Sequence, residues 1–253
     1  MSTILIEEQG AEVTVLTLNR PERRNALTNE LLTELCGAIE AAAANEHKRV
    51  LILRGTGKAF CAGLDLQETL VTEHAHRSAE MVGHTLRTIA ETRLITIAQV
   101  HGAAVAGGAG LMSACDFVVA AKHTKIGYPE GRRGLVAGLV MTFLRRQLRE
   151  RDLRELLLTG ELITAERALE IGLVNRVASA QELEGEAGKI VNAILQNAPQ
   201  ALTRTKRLIE ELWSSSVRED VEKALRYHME ARESAEAKEG IAAFLEKRAP
   251  RWQ

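Results

Sequence analysis

The sequence predicts an α/β fold whose C-terminal part is helical. In the first half, short runs of branched apolar residues alternate with stretches that have helical periodicity. Strands separated by helices are typical of crossover units and of a mainly parallel sheet. From about Gly134 onward, nearly everything has a helical pattern. We therefore expect an α/β core over residues 1–199 and a helical C-terminal region over 200–253.

The elements of the first half follow from local patterns. The helix is clearest where Leu31, Leu35, Ile39 and Ala42 recur along one face. The buried strands are continuous apolar runs such as Val-Leu-Ile-Leu, which ends shortly before Gly55. The predicted elements are strands at 4–8 and 13–18 forming a hairpin, a helix at 28–45, a strand at 50–53, a helix at 77–92, and strands at 94–100 and 115–121.

The second half contains one short predicted strand at 173–177. Ser179 and Glu182 have the spacing of a capping box that starts the next helix. Pro199 suits the first turn of a further helix. Residues 217–247 are charge-rich and amphipathic, with too little apolar bulk to form a domain of their own. We expect this tail to pack on the core or on another subunit.

Composition excludes several classes of protein. Among 253 residues, 33 Lys and Arg balance 34 Asp and Glu, and aromatic residues make up only 3%. Neither a basic nucleic-acid footprint nor a base-stacking platform is expected from these values. No apolar run is long enough to span a membrane, and three cysteines without a C-x-x-C pair predict neither a disulfide framework nor a metal site. We expect a cytoplasmic protein with no targeting peptide and no metal.

Two glycine-containing segments follow buried strands, at 55–66 and 100–111. Glycines at strand ends let the backbone approach a ligand and leave N–H groups pointing outward. Neither segment matches a nucleotide-binding signature, because Phe60 stands where a dinucleotide fingerprint requires glycine. Tight packing at strand-to-helix turns would also explain these glycines, so their spacing alone does not separate the two interpretations.

The combination of motifs is more specific than any one of them. Their order along the chain is N-R-P-E-R-R-N-A-L at 19–27, A-F-C-A-G-L-D-L at 59–66, H-G-A-A-V-A-G-G-A-G-L at 101–111, C-D at 115–116, Y-P-E-G at 128–131, L-T-G-E-L-I-T-A-E-R-A-L-E-I-G-L-V-N-R-V at 158–177 and F-L-E-K-R at 244–248. This sequence resembles the crotonase superfamily, the enoyl-CoA hydratase/isomerase group, over about residues 3–252. The resemblance implies a spiral of ββα units with a helical C-terminal trimerisation region.

The resemblance also implies the chemistry, which is stabilisation of a thioester enolate. The oxyanion hole would consist of the backbone N–H groups of Leu64 and Gly107, and such donors accelerate reactions about a hundred- to a thousand-fold. Glu130, in the P-E motif, would be the acid/base. The substrate would be an acyl-CoA thioester, so coenzyme A is part of the substrate and no separate cofactor is expected.

Gly110 departs from the pattern of the resembled hydratases, which have a second glutamate at this position. Because glycine transfers no proton, hydration by two glutamates lacks one partner, and a single carboxylate suits a double-bond isomerase that moves a proton from C2 to C4. Gly110 is also expected to open room for a bulkier acyl group or for another side chain. His74, His76 and His84 are candidates for that side chain, although each is more often a solvated histidine.

Other activities stay open. Hydration with an atypical second acid and hydrolysis of the thioester are alternatives within the superfamily. A non-catalytic acyl-CoA-binding protein is an alternative of another class, favoured by Gly110 and opposed by Glu130.

The resemblance places coenzyme A contacts at Arg24 (with Arg23 beside it), Ala62, Leu66 and Lys247. The C-terminal motif with Phe244 and Lys247 would reach the coenzyme A of a neighbouring subunit in a homotrimer or a dimer of trimers.

Five further side chains near these motifs have a stated expectation. Asp65 is expected to fix its loop by hydrogen bonds, and Tyr128 to be packing. Cys61 lacks a neighbouring base and is not expected to be a nucleophile. Arg133 and its neighbour Arg132 would either hold a carboxylate or point to solvent.

Overall fold

The computed structural model describes residues 2–68 and 72–251, with the backbone alone for 72–75. Its strands are β1 (Ile4–Gln9), β2 (Val13–Leu18), β3 (Val50–Gly55), β4 (Ile95–Val100), β5 (Ala103–Val105), β6 (Phe117–Ala121), β7 (Lys125–Gly127), β8 (Ile163–Thr164) and β9 (Arg176–Ala178). Its α-helices are α1 (Asn29–Ala44), α2 (Thr72–Glu91), α3 (Gly107–Ser113), α4 (Gly138–Gln147), α5 (Glu150–Thr159), α6 (Ala165–Glu170), α7 (Leu183–Leu195), α8 (Pro199–Glu211), α9 (Val217–Glu233) and α10 (Ala235–Leu245).

The main sheet has the strand order β1-β2-β3-β4-β6-β9 in the described residues. Only β1 and β2 pair antiparallel, as the predicted hairpin, and each later neighbour is parallel. Strands β2 and β4 are buried along their whole length, as parallel strands covered on both faces are. The predicted parallel sheet with crossover helices is therefore confirmed.

Alternate residues of the strands enter two separate cores. Leu16 of β2 and Leu51 of β3 belong to the larger core, to which α1 contributes its apolar stripe. Val15 and Ile52, on the opposite face, belong to the smaller core, which α7 completes. The period of two along each strand thus sorts its side chains between α1 on one face and α7 on the other.

A small second sheet, β5-β7-β8, lies outside the predicted elements. Its strands are only two or three residues long, too short for periodicity to reveal. Strand β5 and the start of α3 both fall within the second glycine-containing segment, 100–111. An isolated parallel bridge joins Cys61 to Ala104 of β5, which brings the two glycine-containing segments together.

Helix α9 packs across α2 and α4, because glycines allow close approach there. An added Cβ on Gly138 of α4 would stand 2.8 Å from the Ala224 carbonyl oxygen, and one on Gly83 of α2 would stand 3.2 Å from Val221. Helix α10 approaches the 3₁₀ turn Pro129–Arg133 in the same way, with the Gly240 Cβ position 2.5 Å from the Arg133 carbonyl carbon. These two helices therefore pack on the core of their own chain.

Helix α8 differs from the other C-terminal helices, because it contributes no buried residue. It exposes Leu208 and Ile209, and Leu212 follows at its C-terminal end. Among the residues that the structure describes, no helix is both long enough and apolar enough to cross a bilayer.

Candidate active site

The two glycine-containing segments run side by side in parallel. The Phe60 amide donates to the His101 carbonyl at 2.9 Å, and the Val105 amide donates to the Cys61 carbonyl at 3.0 Å. At Gly63 the chain turns with a φ of +93°, and an added Cβ would stand 2.9 Å from the Val105 carbonyl oxygen and 3.6 Å from the Gly107 amide nitrogen. Only glycine fits this conformation in this space, so Gly63 is what lets Leu64 lie beside Gly107.

The amides of Leu64 and Gly107 donate no hydrogen bond within the described part of the chain. Leu27 bonds to the residues on either side of Leu64, through the Gly63 carbonyl at 2.8 Å and the Asp65 amide at 2.9 Å. Gly107 is the first residue of α3, where an amide has no partner within the helix. These two amides without a partner, one from each glycine-containing segment, lie side by side, as the donors of an oxyanion hole do.

Ala106 holds the second donor in place. Its φ of +51° and ψ of −125° form a backbone conformation that alanine rarely adopts. The Ala106 amide donates to the Gly127 carbonyl of β7 at 2.8 Å, which ties this strained residue to the small sheet. Strain of this kind persists where the surrounding structure fixes it, and it clusters at functional sites.

A cavity of about 300 Å³ opens beside these amides. Its described lining includes the predicted residues Ala62, Leu64, Leu66, Gly107 and Glu130. Three later elements complete the wall, with Val140 from α4, His228 from α9 and Phe244 from α10. The cavity therefore crosses the predicted boundary between the core and the helical region.

Glu130 lies in the turn that Pro129 begins, with only 8% of its surface exposed. Its Oε2 atom has no hydrogen-bond partner in the described residues. Burial raises the pKa of Glu130 to about 7, although a backbone hydrogen bond and the charge of Arg133 oppose the rise. Near neutral pH both protonation states are then populated, as a group that accepts and returns a proton requires.

The two arginines that follow Glu130 separate. Arg132 points outward and donates from Nε and Nη2 to the Thr159 carbonyl at 3.2 and 3.1 Å. Arg133 lines the cavity, and its guanidinium lies 4.3 Å from the centre of the Phe244 ring. Burial lowers the pKa of Arg133, and the cation-π contact offsets part of the desolvation. Of these two arginines, Arg133 is the one whose charge lowers the pKa of the Glu130 carboxyl.

The space beside Gly110 is filled by other side chains, so the expectation that a bulkier acyl group fits there is wrong. An added Cβ would stand 2.8 Å from Val140 Cγ1 and 3.5 Å from Leu86 Cδ2. Helix α4 packs against α3 at this point, and the missing side chain is what allows the approach. Gly110 itself does not line the cavity.

The two predicted histidines whose side chains the structure describes, His76 and His84, do not face the cavity. His76 Nε2 lies 3.2 Å from a Glu233 carboxylate oxygen, and His84 Nδ1 lies 3.3 Å from Arg87. Neither of these two side chains is part of the described cavity lining, and the side chain of His74 lies outside the described residues.

His228 is the histidine that lines the described cavity, and sequence reasoning missed it. It is 6% exposed, and its Nδ1 donates to the Val136 carbonyl at 3.2 Å. Its Nε2 has no partner in the described residues. A signal was present, because Val217, Val221 and Ala224 recur before it at helical spacing.

The structure separates the predicted coenzyme A contacts into two groups. Ala62 and Leu66 line the cavity together with Arg23, whereas Arg24 and Lys247 lie outside its described lining. Arg24 contacts the oxyanion motif through its backbone, because its carbonyl accepts a hydrogen bond from the Ala62 amide at 3.0 Å. Phe244 lines the cavity of its own chain. The coenzyme A roles of these residues stay predictions.

Asn25 is a supporting residue to which the sequence analysis gave no role. It is fully buried, and its Nδ2 donates to the carbonyls of Thr56, Ala59 and Phe60 at 2.9–3.1 Å. Its Oδ1 accepts from the Arg20 amide at 2.8 Å. The contacts of Nδ2 join residues more than 30 positions apart, so no local pattern reveals them. Asn25 therefore fixes the end of β3, which leads into the glycine-containing segment 55–66.

Three further side chains are structural. Asp65 pairs with Arg20 at 3.3 Å, in agreement with its expected role in fixing the loop. Tyr128 is fully buried, and its hydroxyl lies 2.7 Å from that of Ser113. Cys61 is buried as well, and burial raises the pKa of its thiol to about 12. A thiol with that pKa supplies almost no thiolate at neutral pH, so Cys61 is no nucleophile.

Comparisons with known proteins agree with this geometry. The sequence profile of the enoyl-CoA hydratase/isomerase family matches residues 8–253. The chain is 37% identical to a putative enoyl-CoA hydratase of Thermus thermophilus, over 98% of this chain and 100% of that protein. It is 33% identical to a crotonyl-CoA hydratase of Syntrophomonas wolfei, over 96% and 95% of the two chains.

The fold is similar to the crystal structure of an enoyl-CoA hydratase from Mycobacterium avium. The TM-score is 0.88 at 33% identity, and the match covers 100% of both chains. With the paired amides, the buried glutamate and these matches, the chain belongs to the enoyl-CoA hydratase/isomerase family and has the crotonase fold.

Proposed function

We propose that the protein is an enoyl-CoA isomerase in which Glu130 alone transfers the proton. The observation that carries this proposal is the set of carboxylates in the described cavity lining. It contains Asp65, which is paired with Arg20, and Glu130, whose Oε2 is unpartnered. A second glutamate at Gly110 has no space, because Val140 stands there.

The proposed reaction moves the double bond of a 3-enoyl-CoA into conjugation with the thioester. Glu130 takes the proton from C2, and the electron pair passes to the thioester oxygen to give an enolate. The amides of Leu64 and Gly107 stabilise that oxygen as charge develops on it. The enolate then collapses, the double bond forms between C2 and C3, and Glu130 returns its proton to C4.

Hydration of a 2-enoyl-CoA is the second candidate, favoured by the names of the relatives. In this case Glu130 would activate water for attack on C3 and return the proton to C2. The proposal keeps Ala62, Leu66, Arg24 and Lys247 as contacts for coenzyme A. It keeps a homotrimer or a dimer of trimers as the assembly, for which the exposed apolar face of α8 is available.

Absorbance of the conjugated thioester tests the proposal. We expect 3-hexenoyl-CoA to gain the conjugated signal with the wild-type enzyme, and Glu130→Gln to lose at least about 100-fold in kcat. Calorimetry with unreactive hexanoyl-CoA should give nearly the same Kd for both proteins. Glu161→Gln is the matched control, because Glu161 is exposed and outside the cavity.

Four outcomes would contradict the proposed isomerase or its mechanism. Full activity of Glu130→Gln removes the glutamate mechanism. Loss of the conjugated signal from 2-hexenoyl-CoA, with no conjugation of the 3-enoyl ester, assigns hydration. Release of free coenzyme A assigns hydrolysis, and binding without any reaction assigns a non-catalytic acyl-CoA-binding protein.

A further inference from the structure

The cavity wall contains a histidine that the proposed mechanism does not use. His228 is 94% buried and lines the cavity from α9, yet its Nε2 has no hydrogen-bond partner in the described residues. Buried polar groups are nearly always paired, and an exception calls for an explanation. A partner supplied by the ligand is the explanation that the cavity offers.

The hydrogen bond to Val136 decides which proton the ring carries. A carbonyl oxygen only accepts, so the 3.2 Å contact requires a proton on His228 Nδ1. Burial and the charge of Arg232 lower the pKa of His228, so the ring is neutral near pH 7. In that form Nε2 carries a lone pair and is an acceptor.

Much of the described cavity lining is apolar, although Glu130 and Arg133 also face the cavity. Residues from α2 and from the 135–140 stretch supply apolar side chains, namely Ala79, Val82, Leu135, Val136, Ala137, Leu139 and Val140. An unsubstituted hydrocarbon chain would pack well here, but it would cover Nε2 without pairing it. A site with an unpaired buried polar group discriminates against such a ligand.

We propose that the acyl group of the substrate carries a hydroxyl, which donates a hydrogen bond to His228 Nε2. The inference rests on the proposed function only for the acyl-CoA nature of the ligand. A carboxylate has no proton to donate to a neutral imidazole. A hydroxyl donates one, and its small volume suits a largely apolar wall.

Binding of saturated esters tests this inference without any turnover. Calorimetry would compare hexanoyl-CoA with its 4-, 5- and 6-hydroxy derivatives and with 5-carboxypentanoyl-CoA. We expect one hydroxy ester to bind at least about tenfold more tightly than hexanoyl-CoA. His228→Leu should remove that preference and tighten the binding of hexanoyl-CoA, because no unpaired nitrogen is left for the hydrocarbon chain to cover.

Two further variants make the result specific. His228→Gln keeps an acceptor oxygen and should retain part of the preference. His84→Leu is the matched control, because His84 also lies on a helix but is not part of the described cavity lining, and it should retain the full preference. Thermal unfolding checks that each variant folds, and the wild-type comparison stands without any of them.

The inference is overturned if no hydroxy ester binds more tightly than hexanoyl-CoA, or if the preference survives His228→Leu. Tightest binding of the carboxy ester would also overturn it and assign the wall to anion recognition by Arg133. Because these saturated esters do not react, the binding test stays valid even if the isomerase assay fails. If the isomerase assay succeeds and all esters bind equally, the hydroxyl proposal is refuted and the proposed function is not.

Discussion

Val140 stands where a side chain on Gly110 would have to go, with its Cγ1 2.8 Å from the Cβ position of the glycine. The pair closes the gap between α3 and α4, and the closure excludes an acid at this point of the site. A substitution at Gly110 therefore acts on packing before it acts on chemistry.

We expect Gly110→Ala to lower the free energy of unfolding by about 1–3 kcal/mol, since overpacking a core has this cost. Gly110→Glu should lower it further without creating hydratase activity. Urea unfolding and the absorbance assay measure the two effects. Gly185→Ala in α7 is the control, because nothing lies within 4 Å of its Cβ position, and it should stabilise by about 0.5–1 kcal/mol. An active, stable Gly110→Glu hydratase would contradict the packing described.

The pH dependence of turnover should report Glu130. Because the carboxylate removes the first proton, kcat/KM should rise with pH through a midpoint near the pKa of about 7. The charge of Arg133 lowers that pKa, so Arg133→Gln should move the midpoint upward. Rate profiles from pH 5 to 9 measure both. A midpoint that does not move in Arg133→Gln would assign the titration to another group.

Glu130 should also reduce stability at neutral pH. Its pKa is raised from 4.5 in the unfolded chain to about 7 in the folded protein, so the folded state binds more protons between these values. The free energy of unfolding then falls as pH rises through this window. Glu130→Gln should be more stable than wild type by about 1–3 kcal/mol at pH 8, and the difference should shrink by pH 4. Equal stability at pH 8 would show that Glu130 is not strained by burial.

Gly63 and Ala106 should respond to substitution in opposite ways. Gly63→Ala places a Cβ 2.9 Å from the Val105 carbonyl oxygen at a φ of +93°, so it should lose stability and most turnover. Ala106→Gly relieves a strained conformation, which costs about 1–3 kcal/mol, and should keep both. Thermal unfolding and kcat/KM distinguish the variants. A large loss of stability in Ala106→Gly would mean that the Ala106 side chain itself is needed.

The sheet and its flanking helices were predictable because their patterns are local. The continuous apolar run of β3 and the apolar stripe of α1 are visible within about 20 residues. Glu130 and the oxyanion amides followed from motif order, which the family match supports. The small sheet and the pairing of α10 with the 129–133 turn were not predictable, because they rest on contacts between short, distant segments.

Gly110 shows what a missing side chain can and cannot predict from the sequence. Its identity predicts that an acid is missing, but it does not reveal that Val140 fills the space, since the position of α4 relative to α3 is a tertiary property. Asn25 and His228 illustrate the same limit for polar residues. Asn25 binds backbone carbonyls, and His228 lines a cavity, that lie far from them in the sequence. Neither residue lies in a sequence pattern that predicts this polar role.

The share of the cavity wall that α9 and α10 contribute has a consequence for biosynthesis. Glu130 and the residues before it are synthesised about 90 residues or more before His228 and Phe244. A nascent chain extending only to α8 would expose Glu130 to water instead of to an apolar wall. Its carboxyl would then keep an ordinary acidity, so the raised pKa of Glu130 exists only after the helices that close the cavity have docked.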